Sequence, residues 1–140
     1  MSSRLGDFLQ TFDYLVEYAI NSEIDLVLFC GDAYKSRDPS QTHQREFAKR
    51  VVNLSEAGIP SFLLIGNHDT PNTLGRATSL EIYRTLGISK VTIGDSPRTY
   101  TIDTSDGPIQ IIAIPWVRRS QFLSREQTRS LTPDQINENI

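Results

Sequence analysis

This 140-residue sequence has almost no cysteine, no long apolar run and no excess of positive charge. Cys30 is the single cysteine, so an internal disulfide is excluded and a reducing, cytoplasmic location is expected. No apolar run approaches the roughly 20 residues that a membrane helix needs, and the first residues lack the apolar stretch of a signal peptide. The net charge of −3 gives no bulk electrostatic reason to expect nucleic-acid binding, which would need local basic residues or a bound cation.

Helical and strand-like patterns alternate through the first half of the chain. Apolar residues at three- and four-residue steps predict an amphipathic helix over residues 4–22, with its aromatic and leucine stripe in the core. Continuous apolar runs at residues 25–30 and 62–65 predict strands covered on both faces. Between them, the candidate N-cap Ser40 starts a second helix that Gly58 closes. This order predicts an α/β fold, a mainly parallel sheet with helices on both faces.

The second half is expected to add shorter elements. A third helix is followed by a short strand at residues 91–93. Asp-Gly between β-rich runs at residues 100–103 and 109–114 signals a hairpin, and the second run is apolar enough to be central in a sheet. Thr132-Pro133 resembles a helix start, so the fold is predicted to be cut there. We therefore expect the whole chain to form a single partial domain.

The strongest chemical signal is Gly66-Asn67-His68-Asp69, directly after the second apolar run. Gly66 lets the backbone turn sharply, and the polar side chains then stand at the carboxyl end of a strand, where open α/β sheets place their sites. The first apolar run ends similarly, in Gly31-Asp32. Gly-Asp alone is common in turns, but two matching strand ends predict that Asp32 and Asn67 reach one cation.

These side chains suit two-metal phosphoester hydrolysis. Oxygens of Asp32 and Asn67 would bind Mn²⁺ or Mg²⁺, and the two oxygens of Asp32 allow it to bridge two ions. His68 would donate a proton or contact a phosphate oxygen, and Asp69 would orient the imidazole or its loop. Two ions about 3.5–4 Å apart activate a water and neutralise developing charge. The alternative is a plain polar turn between a strand and a helix.

Four motifs then give a specific resemblance. The segments DLVLFCGDAY, DPSQTHQREF, GIPSFLLIGNHD and IIAIPW resemble the calcineurin-like metallophosphoesterase superfamily, and within it the nuclease subunit of the SbcCD exonuclease. The similarity extends from the first helix to about Phe122. It implies a metal-dependent DNA exonuclease of double-strand-break repair, with Asp32 bridging two Mn²⁺ ions, Asn67 binding the second ion and His68 catalytic. It also implies DNA ends and an SbcC-like coiled-coil ATPase as partners.

The sequence departs from that family at several ligand positions. The family begins with a strand ending in Asp-x-His and carries a later histidine and a Gly-His-x-His motif, whereas this chain has only His43 and His68. Lys35 stands where the family often has an acidic residue or histidine. We therefore expect the first strand and the C-terminal half of the family domain to be absent, metal binding to be weak, and the chain alone to have little activity.

Basic residues near the two turns are candidates for DNA contacts. Lys35, Arg37 and Arg45 lie close in sequence to Asp32, and Arg118-Arg119 follows the last apolar run. Each could contact the phosphate backbone, although a solvated surface is an alternative for all of them.

Three further residues favour structural roles over chemical ones. His43 is expected to be exposed on a helix, and Cys30 to pack as a small apolar residue. Trp116 could stack on a base, but packing at a strand end is the favoured interpretation.

Two other functions stay open. The chain could be a non-catalytic interaction module whose helical faces mediate homodimerisation or ATPase docking. It could also be a phosphatase or cyclic-nucleotide phosphodiesterase of the same superfamily. An Asp-x-His strand encoded just before Ser2 would favour the enzyme, and hydrolysis of DNA ends rather than small phosphomonoesters would favour the nuclease.

Overall fold

A computed structural model describes residues 3–71 and 76–117 of the chain. In these ranges the elements are α1 (Ser3–Asn21), β1 (Val27–Phe29), α2 (Gln41–Glu56), β2 (Ser61–Leu64), α3 (Glu81–Thr85), β3 (Val91–Gly94), β4 (Arg98–Thr104) and β5 (Gly107–Ala113). No helix in this part of the chain is both long and apolar enough to span a membrane.

A parallel sheet in the order β1-β2-β3 forms the centre of the fold. Val27 pairs with Ser61, and Ser61 with Val91, so the three strands begin at one edge and run together toward the other. The α2 crossover joins β1 to β2, since parallel neighbours need a long connection. The predicted α/β fold with a parallel sheet is confirmed.

The described helices pack on one face of this sheet. The rings of Phe12 on α1 and Phe47 on α2 lie 5.6 and 5.3 Å from the ring of Phe29 on β1. Val51 and Leu63 are completely buried in the same core. Each fully buried side chain of this size stabilises the fold by about 1.5–3 kcal/mol, so this aromatic and aliphatic layer fixes where the strand ends lie.

The opposite face is covered by the β4–β5 hairpin. Its antiparallel pairing, closing at Thr104 and Gly107, confirms the predicted hairpin. Successive side chains of β2 point to opposite faces, so Phe62 packs on Tyr100 of the hairpin while Leu63 packs on the helices. The expectation of helices on both faces is therefore corrected: in the described ranges the second face carries a locally paired hairpin.

Some apolar side chains that the sequence pattern assigns to the core are exposed. Phe8 and Leu15 of α1 are 69% and 56% exposed, because α1 buries only a narrow stripe against the sheet. Leu28 of β1 is 50% exposed and Ile112 of β5 is 80% exposed. Among the described strands, β1 and β5 each have one paired neighbour, so neither takes the covered, central position that its composition predicts.

An ion-pair network joins α1 to α2. The buried Arg50 places one guanidinium nitrogen 2.7 Å from Asp13 and the other 3.1 Å from Glu46. Arg45 and Lys49 contact the same Glu46 carboxylate at 2.7 and 3.3 Å. Hydrogen bonds from Arg45 first, and then from Arg50 and Lys49, lower the pKa of Glu46 to about 2.

The free energy of unfolding should depend on pH because of this network. A carboxyl with a depressed pKa contributes stability that is present above its ordinary pKa of 4.5 and is lost as pH falls to the folded value of about 2. We expect Glu46→Gln to lower the free energy of unfolding at neutral pH. Between pH 4.5 and about 2, the free energy of unfolding of this variant should fall less steeply than that of the wild type, as measured by urea unfolding. Glu17→Gln, an exposed change on α1, should keep the wild-type slope. An equal slope in Glu46→Gln would contradict this assignment.

Candidate metal and phosphate site

The two polar strand ends meet at the carboxyl edge of the sheet. Because β1 and β2 are hydrogen-bonded neighbours, the Gly31-Asp32 turn lies directly against Gly66. A Cβ on Gly66 would overlap the backbone nitrogen and a carboxylate oxygen of Asp32, and would stand 3.0 Å from the carbonyl carbon of Gly31. Gly66 is therefore required for close approach, and it brings Asp32 beside the residues that follow β2.

The first turn uses two residues with positive φ. Gly31 has φ +102° and Asp32 has φ +53°, a left-handed conformation that aspartate tolerates better than most residues. Two residues later Tyr34 is buried, and its hydroxyl lies 3.2 Å from the hydroxyl of Tyr83 on α3. Burial raises the pKa of Tyr34, which therefore stays neutral and fixes the loop beyond Asp32 in the helical layer.

The buried side chain of Asp69 forms hydrogen bonds to both turns. Its side chain is completely buried, and its Oδ2 accepts hydrogen bonds from Gly66 N at 2.9 Å and from Ala33 N at 3.4 Å. Burial raises the pKa of this carboxyl, against the lowering effect of the backbone N–H donors. Of the two roles that the sequence suggests for Asp69, these contacts correspond to orienting the loop.

Asp32 and His68 form the exposed centre of the site. The Oδ1 of Asp32 accepts a hydrogen bond from the backbone N–H of His68 at 2.8 Å. The carboxylate and the imidazole both face solvent, so either can reach a ligand. The predicted convergence of Asp32 with the residues after β2 is thus present in the structure.

Asn67 is paired with Arg37. The Nη2 of Arg37 donates to the side-chain oxygen of Asn67 at 2.7 Å, and its Nε donates to the Asn67 carbonyl at 3.3 Å. The sequence suggests Arg37 as a DNA contact, but in the structure it holds the candidate metal ligand. Nothing in the sequence signals this contact, because 30 positions separate the two residues.

A cavity of about 670 Å³ opens beside these turns. Its lining includes Asp32 and Asn67, together with Trp116 and its neighbours in the chain segment after β5. Trp116 is 54% exposed, so the favoured expectation that it packs away at a strand end is wrong. Cys30 is also exposed on this cavity instead of packing as a small apolar residue. It follows β1, which lacks a second paired neighbour in the described ranges.

The remaining candidate contacts differ in their surroundings. Lys35 is exposed, and Arg45 is 61% exposed at its side chain while paired with Glu46 at 2.7 Å. His43 is exposed on α2, as predicted. Arg118-Arg119 lies outside the described residues.

The donors present fit one part of a metal centre. The exposed carboxylate of Asp32 and the side-chain amide oxygen of Asn67 lie on adjacent turns. The amide oxygen accepts a hydrogen bond from the guanidinium of Arg37. Oxygen donors of this kind suit Mn²⁺ or Mg²⁺. Within residues 3–71 and 76–117, however, no group of three or more His, Cys, Asp or Glu side chains could hold an ion. A dinuclear centre would need ligands beyond those described.

Comparison with known families agrees with this geometry. Residues 2–134 match the sequence profile of the family described as Calcineurin-like phosphoesterase. The chain belongs to this family. The resemblance inferred from the four sequence motifs is confirmed.

Similar proteins include DNA double-strand break repair proteins named Mre11. That of Halobacterium salinarum is 33% identical over 95 residues, which are 68% of this chain and 24% of that protein. That of Thermoplasma acidophilum is 27% identical over 107 residues, 76% of this chain and 28% of that protein. That of Methanosarcina mazei is 24% identical over 136 residues, 97% of this chain and 20% of that protein. The chain thus spans about a quarter of the length of these relatives.

Proposed function

We propose that the chain is part of a metal-dependent phosphodiesterase of the DNA exonuclease type that acts in double-strand-break repair. The observation that carries this proposal is the contact between the Asp32 and Gly66-Asn67-His68 turns at one edge of the sheet. The family match and the repair proteins among its relatives point the same way. Gly66, where a single Cβ would overlap Asp32, keeps the two turns close enough to act on one ligand.

Each residue of the two turns has a distinct task in this proposal. Asp32 and Asn67 would hold Mn²⁺, or alternatively Mg²⁺, because both present oxygen donors at the open edge. When bound, a pair of such ions activates a water and neutralises developing charge on the phosphoryl group. The exposed imidazole of His68 protonates the departing oxygen or contacts a phosphate oxygen. Asp69 keeps both turns in place from the buried side.

The described part of the chain supplies only some of the ligands that this chemistry requires. We propose that a strand ending in Asp-x-His and a histidine-rich C-terminal half complete the centre in the whole protein. On this account the 140-residue chain alone binds metal weakly and has little hydrolytic activity. The partners proposed for the whole protein are DNA ends and an SbcC-like coiled-coil ATPase, and the proposed location is the cytoplasm.

Metal and substrate tests separate this proposal from its alternatives. Calorimetry of the 140-residue chain should show no sub-micromolar uptake of Mn²⁺. The product of the complete reading frame that contains this sequence should cleave DNA ends when Mn²⁺ is added, should stop when it is chelated, and should leave small phosphomonoesters intact. Tight Mn²⁺ binding by the short chain would mean that the ligand set is wrong. Hydrolysis of phosphomonoesters instead of DNA would favour a phosphatase.

One observation favours a second role, self-association through α1. Phe8 and Leu15 lie two helical turns apart, and both are largely exposed, so α1 carries an apolar face that the described residues leave uncovered. Sedimentation of the 140-residue chain should then show a dimer that Leu15→Glu dissociates. A monomer at high concentration would remove the support for this role.

A further inference from the structure

Trp116 is fixed next to the proposed phosphate site by its own backbone. Its N–H donates to the carbonyl of Ile65 at 2.9 Å, and Ile65 immediately precedes Gly66. The indole is 54% exposed even though Pro115 before it is buried. A largely exposed tryptophan therefore stands at the edge that carries Asp32 and Asn67.

The cavity beside Trp116 is lined by both polar and apolar side chains. Asp32 and Asn67 are among the polar ones, and Ile114, Trp116 and Val117 are among the apolar ones. Its volume of about 670 Å³ lies in the range of pockets that bind small molecules the size of a nucleotide. A ligand that fills this cavity should carry a charged group and a flat apolar group side by side.

We propose that Trp116 stacks on a nucleobase of the strand whose phosphodiester lies at Asp32 and Asn67. This inference rests on the proposed function and specifies how the substrate is selected. Every base has a π-face, so stacking on one indole binds single-stranded ends without a fixed sequence. The chain has a net charge of −3, so its overall charge does not attract the DNA backbone. Stacking on Trp116 would supply local binding free energy instead.

The fluorescence of the protein reports on this contact directly, since Trp116 is the only tryptophan in the sequence. Titration of the 140-residue chain with a single-stranded oligonucleotide, in excess Mg²⁺ to neutralise the repulsion between Asp32 and the phosphate, should quench the indole emission. An abasic oligonucleotide of the same length and charge should not. Equal quenching by both, or quenching by neither, would overturn the proposal. A blue shift that grows with protein concentration before any oligonucleotide is added would assign the indole to contact between copies, and would also overturn it.

Variants provide an independent measurement through the anisotropy of a labelled oligonucleotide. Trp116→Ala should weaken binding about 5- to 100-fold, and Trp116→Phe should lose much less because a ring remains. Ile112→Ala removes an exposed apolar side chain from β5, just before the segment that carries Trp116 and outside the cavity lining, and should bind like the wild type. Equal affinity of Trp116→Ala and the wild type would contradict the stacking role. So would an equal loss in Ile112→Ala.

Failure of this inference can be told from failure of the proposed function. If the product of the complete reading frame leaves DNA intact with Mn²⁺ while base-dependent quenching persists, stacking stands and the nuclease assignment falls. If DNA is cleaved but Trp116→Ala has the affinity and cleavage rate of the wild type on single-stranded ends, the nuclease assignment stands and stacking falls.

Discussion

Replacing Gly66 with alanine is expected to lower the free energy of unfolding by about 3 kcal/mol, the largest stability loss expected from a single added methyl group here. The new Cβ would overlap the backbone nitrogen of Asp32 as well as its carboxylate, so rotation of a side chain cannot relieve the clash. The turns after β1 and β2 would have to separate, taking Asp32 away from Asn67. Urea unfolding measures the stability loss. The same variant in the product of the complete reading frame should also lose Mn²⁺ binding.

Gly6→Ala is the matched control for that experiment. Gly6 lies within the exposed part of α1, and a Cβ there would have no neighbour within 4 Å. Alanine is the better helix former, so this change should raise stability by about 0.5–1 kcal/mol. A Gly66→Ala protein as stable as the wild type would mean that the two turns are not in the close contact described.

Replacing His68 with alanine is expected to reduce DNA hydrolysis by the complete protein about 10²- to 10⁴-fold while leaving Mn²⁺ bound. The imidazole is exposed beside Asp32, and it is the His68 backbone N–H that donates to the Asp32 carboxylate. The substitution therefore removes a proton donor without removing an oxygen ligand or the bond between the turns. Single-turnover cleavage and calorimetric titration with Mn²⁺ measure the two effects separately.

His43→Ala is the natural control, because His43 is the only other histidine in the sequence. It is exposed on α2. Its backbone N–H donates to the Oγ of the N-cap Ser40 at 3.3 Å, and this bond does not involve the imidazole. Cleavage by this variant should match the wild type. Loss of Mn²⁺ from His68→Ala would show that His68 is a metal ligand, against the role proposed for it.

The sequence was sufficient to locate the two turns because the local residue pattern and the order of the elements both place them at the same edge of the sheet. Continuous apolar runs before Gly31 and Gly66 identify buried strands, and a helix between them makes those strands parallel neighbours. Parallel neighbours end at the same edge, so Asp32 and Asn67 had to lie close together. The N-cap Ser40 likewise follows from local side-chain to backbone bonding.

Long-range packing set the features that the sequence could not predict. Arg37 contacts Asn67 because the loop after Asp32 is anchored through Tyr34, and no periodicity encodes that route. Trp116 lies beside Ile65 through a backbone hydrogen bond of 2.9 Å between two residues that are far apart in the sequence. Leu28 has the composition of a buried residue, yet its exposure depends on which elements cover β1, and that is a property of the fold.

The proposed site requires that Asp32 and Asn67 share a cation, and a crystal of the complete protein soaked in Mn²⁺ tests this most directly. Anomalous scattering locates manganese without assumptions about activity. We predict one manganese peak bonded to both the Asp32 carboxylate and the side-chain oxygen of Asn67, after that oxygen has left Arg37, with the other ion also bonded to Asp32. Manganese bound elsewhere, with the Arg37–Asn67 pair intact, would contradict it.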